Sequence, residues 1–258
     1  SSGSGKSLLA HAIMGILPEN SKTKGSIKYY NDELNEKYLR KVRGKDIAFI
    51  PQSVDFLDPL MKVGKQVVGI NGNKERQKEV FKKYNLDDKV AEMYPFQLSG
   101  GMARRVLIAT AVMNEAKLII ADEPTPGLNL ELAMETLNNF REIADSGCGV
   151  LLITHDVDLA LNVADRIAVF YSGTIVEIAQ VEDFIKGKDA LRHPYSKAFI
   201  DALPQNKFKE LPGYQPYAGN LPKGCLFRDR CSLKTDECCM EIKMRKVRDG
   251  EVRCINAT

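Results

Sequence analysis

The chain has 258 residues, 44% of them hydrophobic and 28% charged, and 37 basic against 34 acidic side chains leave a formal charge of +3. That length supports one large or two modest cores, and a charge this balanced, with no basic stripe, argues against nucleic acid as a ligand. No apolar run approaches the length of a membrane-spanning helix, so membrane association would run through a partner.

The first seven residues, Ser1-Ser2-Gly3-Ser4-Gly5-Lys6-Ser7, read as a phosphate-binding loop whose first glycine precedes Ser1. This predicts that residues 1–258 are a piece of a longer chain. Gly3 and Gly5 let the backbone turn its N–H groups onto phosphate oxygens. Lys6 would reach the β- and γ-phosphates, and the Ser7 hydroxyl would ligate Mg²⁺. A helix is expected from Ser7 to Leu17, its N-terminus lying under the phosphates. A Gly/Ser linker is the alternative, but Lys6-Ser7 runs straight into apolar helical spacing.

Farther along, Ile47–Ile50 reads as a short buried strand ended by Pro51 and followed by Gln52. Residues 74–94 are charged with scattered apolar positions, as in helical pieces on a surface. Leu98-Ser99-Gly100-Gly101-Met102 leads into an apolar helix expected from about Arg105 to Val112. Leu118-Ile119-Ile120-Ala121 reads as a buried strand that delivers Asp122-Glu123-Pro124. Adjacent carboxylates at a strand end repel each other and serve chemistry rather than stability. Asp122 could hold Mg²⁺ and Glu123 could orient or deprotonate water. A second buried strand, Val150–Thr154, delivers His155, one of three histidines in the chain.

Taken in order, these motifs resemble the ATP-binding subunit of ABC transporters. Residues 1–7 resemble its Walker A loop and Gln52 its Q-loop. Leu98–Met102 resemble the LSGGQ signature, with Met102 in place of glutamine. Ile119–Glu123 resemble Walker B with its catalytic glutamate, and His155 the switch histidine. Pro126-Gly127-Leu128-Asn129 departs from the usual Ser-Ala-Leu-Asp of the D-loop by placing a neutral Asn129 where the family has an acid. Leu57-Asp58-Pro59-Leu60, Val63-Gly64 and His193-Pro194-Tyr195-Ser196 resemble the peptide and nickel importers, in which the first stretch contacts the membrane subunits. The tail Leu221–Cys225, with Cys231, Cys238 and Cys254 spaced C-x5-C-x6-C-x15-C, resembles their C-terminal extension.

The tail is rich in Lys, Arg and Pro, with little apolar material. Its spacing lacks the paired C-x2–4-C of zinc sites. A [4Fe–4S] cluster on Cys225, Cys231, Cys238 and Cys254 is the leading expectation, with free thiols and zinc as alternatives. Cys239 is an alternative ligand, and Cys148 looks like a bystander.

The resemblance implies an α/β P-loop NTPase with a helical subdomain and a small Cys-containing C-terminal extension. The nucleotide-binding domain would span 1–185, its helical subdomain about 53–112, and the extension 186–258. ATP would be held by Ser2, Gly3, Ser4, Gly5, Lys6 and Ser7, and by Ser99, Gly100 and Gly101 acting on a partner's nucleotide. Ser7, Gln52 and Asp122 would hold Mg²⁺; Glu123, His155 and Gln52 would be catalytic. Implied partners are a second ABC ATPase subunit (a different chain ahead of an identical one), two membrane permeases and an extracytoplasmic substrate-binding protein. The expected place is the cytoplasmic face of the cell membrane. The implied function is ATP hydrolysis powering import of peptides or nickel; a soluble non-transport ABC ATPase is the alternative.

Overall fold

A computed structural model describes residues 4–69, 72–204, 206 and 208–258. The chain divides into two compact units, Ser7–Leu159 and Ala160–Thr258, the latter joined by Ser1–Lys6.

The first unit opens with α1 (Lys6–Met14), a hairpin of β1 (Lys28–Tyr29) and β2 (Asp32–Glu33), and α2 (Glu36–Val42). Asn35 caps α2 by accepting the Tyr38 N–H. The unit's centre is a parallel sheet in the order β3 (Ile47–Ile50), β4 (Leu118–Asp122), β5 (Gly149–Ile153). Ile119, Ile120 and Ala121 of the middle strand are buried. Ala10 and Met14 of α1 join Val42, Ile47, Ile120 and Ile153 in one apolar cluster. β5 is less buried than its sequence predicts: Leu151 is 37% exposed, because no strand pairs with its outer edge among the described residues.

Between β3 and β4 lie α3 (Val63–Val68), α4 (Lys74–Lys83) and α5 (Gly100–Val112). Val63, Val67, Val80, Phe81, Tyr84 and Val90 form the buried side of this segment. The buried Gln77 donates to the Gly64 carbonyl at 2.8 Å, and a Cβ on Gly64 would come within 2.8 Å of the Ala91 oxygen, so glycine is required for that approach. α5 begins five residues earlier than expected because Ser99 caps it, accepting the Met102 N–H. α6 (Leu130–Asp145) precedes β5, capped by Asn129, which accepts the Leu132 N–H at 2.9 Å. α7 (Val157–Val163) follows β5.

The second unit is built on an antiparallel sheet ordered β6 (Arg166–Tyr171), β7 (Thr174–Gln180), β9 (Gly250–Val252), β8 (Arg245–Val247). Among the described residues, α8 (Val181–Ile185) and α9 (Pro194–Asp201) follow β7 in this unit. The expectation of an apolar-poor tail fails here. Leu191, Tyr195, Ile200 and Phe227 bury with Val169, Tyr171, Val176 and Phe184 in one core, and β9 near the end of the chain pairs with β7. The Tyr171 and Phe227 rings meet edge-on, centroids 5.4 Å apart.

A buried ionic knot fastens this unit. The Glu177 carboxylate is fully buried and accepts the backbone N–H groups of Arg192 and His193, each at 2.8 Å. The buried Arg192 guanidinium lies 3.4 Å from Glu177 and 2.8 Å from Asp183, and its Nε donates to the Val247 carbonyl at 2.6 Å.

Candidate functional site

Parallel pairing sends three strand ends in the same direction. β3 runs out into Pro51-Gln52, β4 into Glu123 and β5 into Thr154-His155, with Ile50 opposite Ala121 and Asp122 opposite Ile153. Ligands of α/β sheets gather at this carboxyl edge.

Glu123 takes up a left-handed backbone, φ +50°, which costs a non-glycine residue about 1–3 kcal/mol. Its N–H donates to the Ile153 carbonyl at 2.9 Å. This turns a mostly buried carboxylate onto the His155 ring, Oε2 to Nδ1 2.6 Å, while the histidine side chain stays 66% exposed. A proton on Nδ1 donated to the carboxylate leaves Nε2 free for a ligand. Asp122 beside it is 1% exposed, and its Oδ1 has no hydrogen-bond partner among the described residues. A carboxylate oxygen left so is costly. With the oxygens of Ser7 and Gln52, it belongs to the hard donor type that Mg²⁺ takes.

Arg104 is the member of this site that sequence reasoning missed. It is buried on the inner face of α5, donating to the Pro51 carbonyl at 2.9 Å and the Gln52 carbonyl at 2.5 Å. Burial pulls its pKa down, opposed by the charges of Asp122 and Glu123. One guanidinium thus fixes the backbone of Gln52 and counters the two carboxylates. An arginine on an otherwise apolar helix face was the available signal.

Ser99 is spent on capping α5. Gly100 and Gly101 form its first turn; a Cβ on Gly100 would meet open space, and one on Gly101 the Gly127 oxygen at 3.8 Å. Nothing among the described residues therefore demands glycine at 100. Ser2 and Gly3 lie outside the described residues. Ser4 is buried, and Gly5 has φ +91°, which glycine adopts without strain. Lys6 Nζ donates to Ser4 Oγ at 3.5 Å. Ser4, Gly5 and Lys6 fall in one compact unit; Ser7, Gln52, Ser99, Gly100, Gly101, Asp122, Glu123 and His155 fall in the other.

Apolar side chains stand exposed in the 56–61 segment, Phe56, Leu60 (87% exposed) and Met61, and also at Phe96. Leu57 and Val63, from the same stretch, are buried.

In the tail, burial raises the pKa of Cys225, Cys231 and Cys254, the last to about 11, and the neighbouring thiols add to it. The charges that act on Cys254 come from Cys225, Cys231 and Cys238, so the four thiols are electrostatic neighbours. The Cys225 N–H donates to the Cys238 carbonyl at 2.9 Å. Among the described residues no three of His, Cys, Asp or Glu stand as a ready-made metal cage. Cys239 is exposed, and Cys148 lies in the other unit.

Comparison with known proteins adds to this geometry. The family model described as "ABC transporter" matches residues 1–126, and the one described as "Oligopeptide/dipeptide transporter, C-terminal region" matches 176–238. An oligopeptide transport ATP-binding protein, OppD, of Haemophilus influenzae is 32% identical, over 98% of this chain and 84% of that protein. A probable D,D-dipeptide transport ATP-binding protein, DdpD, of Escherichia coli is 34% identical, over 98% and 83%. Among solved structures, the dimeric bacterial ABC transporter cassette MJ0796 superposes with a TM-score of 0.63 at 28% identity, over 70% of this chain and 82% of that one. The same cassette in a post-hydrolysis state with ADP and Pi gives 0.62 at 27% identity, over the same shares of the two chains.

Proposed function

This chain belongs to the ABC transporter ATP-binding proteins of the oligopeptide and dipeptide transport type, and we propose that its ATPase activity powers import of peptides across a membrane. The Glu123–His155 pair at the carboxyl edge of the sheet carries this reading. Glu123, dehydrated and oriented by His155, takes the proton of the attacking water. The exposed His155 ring reaches toward the γ-phosphate. Ser2, Gly3, Ser4, Gly5 and Lys6 cradle the phosphates. Ser7, Gln52 and Asp122 would hold Mg²⁺, which supplies positive charge to the phosphates; the unpartnered Asp122 Oδ1 supports that role. Arg104 holds Gln52 in place.

Ser99, Gly100 and Gly101 close over the nucleotide of a second ATPase subunit, a different chain or an identical one; the open space at Gly100 supports contact from outside. Residues 1–185 serve as the nucleotide-binding domain, with 53–112 as its helical subdomain and 186–258 as its extension. Phe56, Leu60, Met61 and Phe96 offer an apolar surface to two permease subunits at the cytoplasmic face. No helix among the described residues is long and apolar enough to cross a membrane, which fits a peripheral position. An extracytoplasmic binding protein delivers the cargo. The names of the relatives favour peptides over nickel.

The four neighbouring thiols Cys225, Cys231, Cys238 and Cys254 would hold a [4Fe–4S] cluster, whose chemistry here is to cross-link the tail. Thiolate sulfur is the donor type such a cluster takes, but the four thiols would have to be deprotonated and drawn together, since they do not stand as a cage among the described residues. Anaerobic purification should give brown protein that Cys231→Ser bleaches and Cys148→Ser does not; stoichiometric zinc or no metal would overturn this assignment. The transport reading is tested in proteoliposomes holding this chain, its second ATPase and both permeases. Peptide-loaded binding protein should raise ATP hydrolysis and drive uptake. Hydrolysis indifferent to peptide would contradict it.

A further inference from the structure

His193 carries a buried hydrogen-bond donor that the described structure leaves unused. The residue is 1% exposed. Its Nδ1 accepts the Tyr195 N–H at 3.0 Å, capping α9. Nδ1 is thus an acceptor, and the neutral ring must carry its proton on Nε2. Burial holds the pKa at about 4, so the ring is neutral near pH 7. Nε2 has no partner among the described residues. A buried N–H without an acceptor loses its water and regains nothing, and such a group calls for an explanation.

His193 lines a cavity of about 430 Å³ within the second unit, inside the range of small-molecule sites. Val176, Leu226 and Ile242 supply apolar wall, and Lys223 and Glu241 stand at its edge with opposite charges. Arg253 also faces it, but its guanidinium already donates to the Ile175 and Ile242 carbonyls. We propose that this cavity binds a small zwitterion, a free α-amino acid or very short peptide, its carboxylate on His193 Nε2–H and Lys223 and its ammonium on Glu241. An inorganic anion would answer His193 but leave Glu241 repelling it. An apolar ligand would leave the histidine donor unpaired. Cys225 and Cys239 also line the cavity, so it adjoins the tail thiols, while none of its lining residues belongs to the nucleotide motifs.

Calorimetry on the full chain tests this with L-alanine, L-alanyl-L-alanine, N-acetyl-L-alanine and inorganic phosphate. Saturable binding of L-alanine or of the dipeptide supports the proposal, and whichever binds more tightly identifies the source. N-acetyl-L-alanine, lacking the ammonium, should bind about ten-fold more weakly, and Glu241→Gln should erase that difference. Lys223→Ala should weaken the zwitterion about ten-fold. Both rim residues are exposed, so neither change threatens folding. His193→Ser, which preserves a capping oxygen, should abolish binding. No binding of either zwitterion, equal binding of phosphate, or affinities unmoved by both rim variants would overturn the proposal.

Discussion

Replacing Arg192 with methionine removes the cation from a site that is closed to water. Glu177, fully buried, would keep two backbone N–H donors but lose its counter-charge. The Val247 carbonyl would lose its guanidinium donor, and Asp183 its 2.8 Å partner. Breaking one side of a buried pair costs about 3–5 kcal/mol, and at this chain length each kcal/mol shifts the melting temperature by about 2–4 °C. The chain should therefore melt roughly 6–20 °C lower. Glu177→Leu orphans the two N–H groups of Arg192 and His193, at about 1–3 kcal/mol each, and also leaves Arg192 with Asp183 alone as counter-charge. It should thus be at least as damaging. Calorimetric melting of the two variants beside Arg40→Met, whose salt bridge with Glu36 is exposed, is the assay. An Arg192→Met shift no larger than that control's would refute the reasoning.

Gly224 has φ +79°, and a Cβ there would lie 2.3 Å from the Cys238 carbonyl oxygen. Gly224→Ala should unseat the loop that brings Cys225 to Cys238, while Gly147→Ala, with open space around it, should cost only the left-handed penalty of about 1–2 kcal/mol; urea titration separates them. His193 has a folded pKa of about 4 against 6.5 unfolded. The unfolded chain therefore binds more protons between these values, and stability present above pH 6.5 is lost as pH falls toward 4. The loss is up to about 3 kcal/mol, read from urea midpoints, and His193→Ser should flatten it. Arg104→Lys replaces the two guanidinium nitrogens that reach the Pro51 and Gln52 carbonyls with a single ammonium nitrogen. ATP turnover should fall by about 10–100-fold with nucleotide binding kept, and full turnover would show that Gln52 holds its place without the bridge.

What the sequence revealed was local. Ile47–Ile50 and Leu118–Ala121 are short apolar runs bounded by Pro51 and by Asp122-Glu123, and both are strands in the structure. The motif residues could be named because each sits beside such a run. α5 starts five residues before the apolar run because its first turn is Gly100-Gly101, which shows no apolar periodicity, and the Ser99 oxygen caps it. The burial of β5 was overstated because an apolar run does not reveal whether it has a strand on one side or two. Arg104, Glu177 and Arg192 escaped notice for a common reason. Each is a charged residue whose partners lie 9 to 55 positions away, and spacing along the chain carries no trace of such pairs. The tail was judged poor in core residues because its apolar positions, among them Phe227 and Val252, are scattered. Phe227 is buried against Tyr171 and Tyr195, and Val252 lies in β9 where it pairs with β7.

The central claim is that Glu123, held by His155, is the base of an ATP-hydrolysing site. Glu123→Gln keeps the shape and the hydrogen-bonding reach of the side chain but cannot take a proton at neutral pH. ATP binding and turnover of this variant, measured side by side in the assembled complex, are the most direct test. The account predicts unchanged ATP affinity and turnover lowered by about 10²–10⁴-fold. Turnover within about a factor of two of the wild type, less than 0.5 kcal/mol in the barrier, would contradict it.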